Sequence, residues 1–227
     1  MVGIIGAMEV EVNELKAEIS GLKTEKVGNL NFFYGRINNT EVCVVRCGIG
    51  KVNAALCASI LVLKFGANEI INIGVAGGIA PDIKPFDMII ATDLVEHDFD
   101  LTAFGKAKGQ LNENDFVGTA ASEKLTNALC GICDELKINY KRGRIVSGDQ
   151  FISSKEKSES LYKDFGAAGV EMEGAAMAHV CSILGVDFAV IRTISDSADD
   201  GAKGTFEENC VEAARIYLRL ILKYLET

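Results

Sequence analysis

Carboxylates and glycines recur at the ends of apolar runs in this 227-residue chain. Gly6-Ala7-Met8-Glu9-Val10-Glu11 closes the first run, and Cys47-Gly48-Ile49-Gly50-Lys51 and Gly74-Val75-Ala76-Gly77-Gly78 close two more. Ser147-Gly148-Asp149-Gln150-Phe151, Glu171-Met172-Glu173 and Ser195-Asp196-Ser197-Ala198-Asp199-Asp200 follow in the second half. A carboxylate among apolar neighbours can hold a proton near neutral pH and so serve as acid or base. Glu11, Glu171, Glu173 and Asp196 are the candidates. Each also has an ordinary structural use. A carboxylate in a helix's first turn meets the dipole favourably, by about 0.3–1 kcal/mol, and Asp196 between two serines reads equally as a turn or cap residue. Glu173 stands out because Met172, Ala175 and Ala176 surround it with small or apolar groups.

These residues need elements to position them, and the hydrophobic periodicity supplies a set. Strands are expected at Val2–Ala7, Phe32–Ile37, Glu41–Arg46, Glu69–Gly74, Asp87–Thr92, Gly143–Ser147 and Asp187–Ile194. Helices are expected at Glu9–Ile19, Lys51–Phe65, Thr119–Leu136, Glu171–Leu184 and Thr205–Leu225. Asn38-Asn39-Thr40 marks a hairpin between two of the strands. The alternation predicts an α/β fold: a three-layer α/β/α sandwich around a mixed, mostly parallel sheet covered on both faces. No composition shift or repeat marks a boundary, so residues 1–227 are expected to form a single domain. Ligands in such folds gather at the carboxyl ends of strands, where the glycines and carboxylates fall.

Other chemistries fit poorly. Gly48-Ile49-Gly50-Lys51-Val52-Asn53 mimics a dinucleotide fingerprint, but Asn53 replaces its third glycine; a tight turn into a helix, or a glycine loop facing a ligand, are the readings that remain. Cys130-Gly131-Ile132-Cys133 lies inside a helical pattern instead of starting a helix, which suits buried structural thiols. With only His97 and His179, and no ligand spacing around either, no metal is expected. The net charge of −9 repels phosphodiester backbones and anionic lipid, so neither nucleic acid nor membrane is an expected partner. Seven cysteines, an odd number scattered through apolar runs, fit a reducing compartment, and no secretory signal or membrane span is read. A cytoplasmic location is expected. From these residues alone the reading is an α/β enzyme that works with carboxylates.

The run Gly3 to Val12 resembles the start of 5′-methylthioadenosine/S-adenosylhomocysteine nucleosidases. The resemblance continues through Cys47–Ala55, Ile71–Gly78, His97-Asp98, Thr102–Gly105, Ser147–Ile152, Val170–Ala176 and Arg192–Asp199, in order and over nearly the whole chain. That family belongs to the purine nucleoside phosphorylase superfamily, which implies the α/β sandwich and a homodimer. Cleaving a purine from ribose passes through an oxocarbenium-like sugar, so the leaving base must be protonated and a water presented at the anomeric carbon. Carried over by motif, Asp196 would protonate adenine, oriented by Ser195, and Glu11 would activate the water, with Arg192 arranging that region. Glu173 would hold the ribose hydroxyls, with Met172 packed on the sugar. Phe151 would stack on adenine, and the Ile152 backbone would read its edge. Met8 and Phe206 would line the 5′-alkylthio pocket, and Phe104 would reach across the dimer into the partner's site. No cofactor is implied.

Val75 departs from the family pattern, in which many relatives carry Ser. Phosphate-using relatives place Arg and Ser around this turn, so the apolar side chain favours hydrolysis, although Arg46 beside the neighbouring glycine loop keeps phosphorolysis as an alternative. A catalytically silent nucleoside binder is another. Within the enzyme class, 5′-deoxyadenosine and deoxyfutalosine-type nucleosides compete with the thioether nucleosides as substrates. The glycine-bearing loop Asp199–Gly204 reads either as a mobile lid or as a plain surface loop.

Overall fold

In the computed structural model, which describes residues 1–111, 117–199 and 201–226, the central strand is β5 (Glu69–Gly78). Its run Ile70-Ile71-Asn72-Ile73 is buried on both faces, the signature of an interior strand of a sheet covered by helices. Three strands pair with it: β1 (Val2–Gly6) and β10 (Asp187–Asp196) in parallel, and β9 (Gly169–Glu171) antiparallel. From β9 the pairing passes to β8 (Tyr140–Ser147), on to β6 (Met88–Glu96), and back to β10. β5, β9, β8, β6 and β10 therefore close into a ring, and β5 sits where the ring meets the open part of the sheet.

The open part continues from β1 through β4 (Thr40–Arg46) and β3 (Leu30–Ile37) to the edge strand β2 (Ser20–Val27). Parallel pairing joins β4, β1, β5 and β10; the β2–β3–β4 meander and the β10–β6 pair are antiparallel, so the sheet is mixed. On one face, α1 (Glu9–Ala17), α3 (Glu123–Leu136) and α6 (Ala202–Tyr224) pack Val12, Leu15, Leu129 and Leu220 against Ile4, Ile71 and Ile191. On the other, α2 (Lys51–Leu63) and α5 (Gly174–Leu184) pack Leu61 and Met177 against Ile5, Ile70 and Val190. The three layers follow the expected order. A Leu→Ala change in either cluster is worth about 2–5 kcal/mol, so both faces are needed to hold the strand ends rigid.

Several elements differ from the sequence expectation. β2 carries almost no apolar alternation because it is an exposed edge strand, paired among the described residues with β3 alone. The helix α4 (Lys155–Phe165) buries only Ser158, Leu161 and Phe165, too thin a stripe to register as helical periodicity. Thr119 and Ala120 form a short strand, β7, against β6, and α3 starts after Ser122. Glu171 ends β9 and does not start a helix; α5 begins at Gly174. The stretch Gly74–Gly78, expected as a loop, continues β5 because β9 and β10 both pair with it there. Cys130 and Cys133 face the core from within α3.

Candidate active site

The strand ends β1, β5, β9 and β10 surround a cleft open to solvent, lined by apolar side chains and a few carboxylates, the composition of a small-molecule site. Met8, Glu11, Val75, Phe151, Ile152, Met172, Glu173, Ser195, Asp196 and Phe206 all line it. Arg192 stands behind this lining, fully buried, and Phe104 lies outside it, on an exposed single turn at Thr102–Phe104. Asp200, within the loop expected as a lid, is outside the described residues.

Glu11 owes its place to two local features. As the third residue of α1 it accepts the N–H groups of Ala7 (2.6 Å) and Met8 (2.9 Å), so it satisfies orphan donors at the helix start. Its other oxygen accepts the Val75 N–H of β5 at 3.2 Å. Gly74 makes that approach possible, since a β-carbon there would stand 2.7 Å from Glu11 Oε1. The structural and the chemical readings of Glu11 thus coexist. Burial raises its pKa, tempered by the Met8 N–H, the Arg192 charge and the other backbone donors.

Asp196 is the last residue of β10, not a residue beyond it, and is 2% exposed. Ser195 Oγ donates to its Oδ2 at 2.8 Å, and the Ala198 N–H donates to Oδ1, also at 2.8 Å. Burial raises its pKa against those two donors, the direction that favours a carboxyl holding a proton. Along β5, Asp196 pairs with Gly77 while Glu11 sits over Gly74. Three residues of strand, roughly 10 Å, separate those positions, enough for a sugar and a water.

Glu173 immediately precedes α5, and its side chain accepts the Gly50 N–H at 2.8 Å. Burial first, and the charge of Glu171 second, push it up to about 8. Glu171 has a different task. It accepts the N–H groups of Glu173 (3.1 Å) and Gly174 (2.8 and 3.0 Å), is bonded by Ser147 Oγ, and pairs with Arg192 Nη2. Arg192 also donates to Asn72 Oδ1 at 2.6 Å, and Asn72 in turn donates to the Ile5 carbonyl at 2.9 Å. Its guanidinium is thereby fixed between β5 and β9, 4.0 Å from Glu173. Arg46 is exposed and faces Glu9 at 3.5 Å.

Phe151, 48% exposed, meets Phe206 edge to face with ring centroids 5.7 Å apart, so the loop after β8 and the start of α6 share the mouth of the cavity. Sequence reasoning missed Ala7, Ile49, Ala76, Gly77, Gln150 and Val170 as lining residues. Small or uncharged, they carry no chemical signal of their own. The hub role of Glu171 was equally hidden, because its partners lie 21 and 24 residues away.

The model for the phosphorylase superfamily matches residues 1–226. A 5′-methylthioadenosine/S-adenosylhomocysteine nucleosidase from Neisseria meningitidis, solved with methylthio-immucillin-A, is 34% identical with a TM-score of 0.96, covering 99% of this chain and 98% of its own. The corresponding nucleosidase from Helicobacter pylori, solved with a pyrrolopyrimidine–pyrrolidinol ligand, is 37% identical with a TM-score of 0.94, covering 99% and 96%. Futalosine hydrolase from Helicobacter pylori is 35% identical with a TM-score of 0.92, covering 98% and 97%.

Proposed function

The chain belongs to the phosphorylase superfamily, and on that premise we propose that it is an N-glycosyl hydrolase cleaving 5′-methylthioadenosine and S-adenosylhomocysteine to adenine and the 5-thioribose product. One observation carries the choice of hydrolysis. The Glu11 carboxylate takes the N–H groups of Ala7, Met8 and Val75, donors that a phosphate dianion would need. Arg192, the buried cation behind the site, is already paired with Glu171 and approached by Glu173. An anion entering here would meet carboxylates; a water would meet a base.

In the mechanism this supports, Asp196 donates its proton to the leaving adenine as the glycosidic bond lengthens, and Ser195 holds the carboxyl in place. The sugar gains oxocarbenium character next to Glu173, which binds its hydroxyls, and Met172 packs on its face. Glu11 removes a proton from the attacking water, with Arg192 and Val75 shaping that end. Phe151 stacks on the base, the Ile152 backbone reads its edge, and Met8 and Phe206 cover the apolar 5′ substituent. A general acid or base of this kind is worth about 10²–10⁴-fold in rate.

The same reading makes residues 1–227 a single nucleosidase domain serving methionine salvage in the cytoplasm, and a homodimer. Support for the dimer lies on the surface. Val52, Leu56 and Leu63 present an exposed apolar stripe on α2, with exposed Ile183 on the adjoining α5, and contiguous patches of this kind mark protein interfaces. Phe104, 82% exposed, would enter the partner's 5′ pocket. Sedimentation velocity of wild type and Leu56→Glu tests the assembly: a dimer and a monomer are expected. Adenine release from a panel of methylthioadenosine, S-adenosylhomocysteine, 5′-deoxyadenosine and deoxyfutalosine tests the substrate assignment, and highest kcat/KM on the first two is the expected result.

A further inference from the structure

Four charged residues outside the cavity connect its two loops. The Lys51 ammonium donates to Asp98 Oδ1 at 2.6 Å and to Glu96 Oε2 at 3.0 Å, in a cluster where all three side chains are 12–22% exposed. Asp98 uses its other oxygen to accept the Asp149 N–H at 3.0 Å. Asp149 Oδ1 then accepts the Lys51 N–H at 2.8 Å, closing a cycle between the start of α2 and the loop after β8. On the far side of Glu96, His179 Nδ1 lies 3.1 Å from Oε1, which fastens the cluster to α5.

Each end of this cycle abuts the site. One residue before Lys51, the Gly50 N–H makes the 2.8 Å bond to Glu173. Gly50 sits at φ 104°, and a β-carbon there would stand 3.0 Å from Asp149 Oδ1, closer than ordinary van der Waals contact, so the two loops approach tightly at a position without a side chain. One and two residues after Asp149, Gln150 and Phe151 line the cavity, and Ile49 lines it from the other loop. Neither Lys51 nor Asp149 does so.

We propose that Asp149 and Lys51 are positioning residues: by clamping the Gly48–Lys51 loop to the loop Ser147–Phe151, they hold the Gly50 N–H on Glu173 and couple the sugar end of the site to the base end. The proposal rests on Glu173 as the ribose-binding carboxylate. The Gly50 hydrogen bond fixes one oxygen of Glu173 and leaves the other for the sugar, and misplacing such a group by about 1 Å costs on the order of 10²-fold.

A double-mutant cycle on kcat/KM for methylthioadenosine tests this. Asp149→Ala is expected to lose about 10-fold or more in the wild-type background but less than about 3-fold in a Glu173→Ala background, where there is no carboxylate to misplace. Asp149→Asn, which keeps an oxygen to accept the Lys51 N–H, is expected within about 3-fold of wild type. Lys51→Met repeats the pattern from the other side of the clamp, and it carries the test if Asp149→Ala does not fold. Equal losses in the two backgrounds, or wild-type activity in both Asp149→Ala and Lys51→Met, would overturn the proposal. Full activity in Glu173→Ala would instead overturn the ribose assignment, and the proposal with it.

Discussion

The Glu11 carboxylate rests on the α-carbon of Gly74: a β-carbon at that position would stand 2.7 Å from Glu11 Oε1 and 3.5 Å from the Arg192 guanidinium carbon. Two opposite charges that begin on α1 and β10 are brought onto one point of β5 because that point has no side chain. Gly74→Ala is therefore expected to fold, since the strand pairing on either side is intact, yet to lose about 10²-fold in kcat as Glu11 is displaced. Steady-state kinetics beside a circular dichroism spectrum check both halves of the statement.

Asp196→Asn and Glu11→Gln remove the two proton-transfer groups and preserve shape. Each is expected to lower kcat by about 10²–10⁴-fold with little change in KM. Near-wild-type turnover in either variant would remove that residue from the mechanism.

How much of this was legible in the chain depended on where the signal lay. Interior strands announced themselves as apolar runs, as in Ile70-Ile71-Asn72-Ile73, and Glu173 stood out among the carboxylates at strand ends, with Glu11 and Asp196 as further candidates. The ring closure was not legible. It arises because β5 pairs with β10 from Glu69 to Gly77 on one edge while its other edge pairs with β1 at Glu69–Asn72 and with β9 at Gly77 and Gly78, a change of partner that no local pattern encodes. For the same reason Gly74–Gly78 read as a loop. Glu171 read as a helix-start charge, and it does bond the N–H groups at the start of α5; its bond to Arg192 depends on distant strands meeting.

That bond gives a stability prediction. Glu171 and Arg192 have side chains 2% and 1% exposed, so removing one partner strands the other without water. Glu171→Ala is expected to destabilise the fold by about 3–5 kcal/mol, read as a lowered midpoint in urea with an unchanged slope.

The pH dependence follows from burial. Glu11, Glu173 and Asp196 all bind their protons more tightly in the folded chain than in the unfolded one. For Glu173 the window runs from the ordinary 4.5 to about 8. Across it the folded state holds more protons, so this contribution to stability is complete below the lower value and is lost as pH rises through the upper. The melting temperature of Glu173→Gln should fall less than that of wild type between pH 6 and 9, by about 2–4 °C for each kcal/mol of relieved charge burial. Parallel curves for the two proteins would show that Glu173 is not the titrating group.

The most direct test of the central claim, hydrolysis at a carboxylate-lined cleft, is product analysis after incubation with methylthioadenosine, with and without phosphate. Adenine and free methylthioribose in phosphate-free buffer, at a rate that phosphate does not raise, is the predicted result. Methylthioribose-1-phosphate formed only when phosphate is present would contradict it.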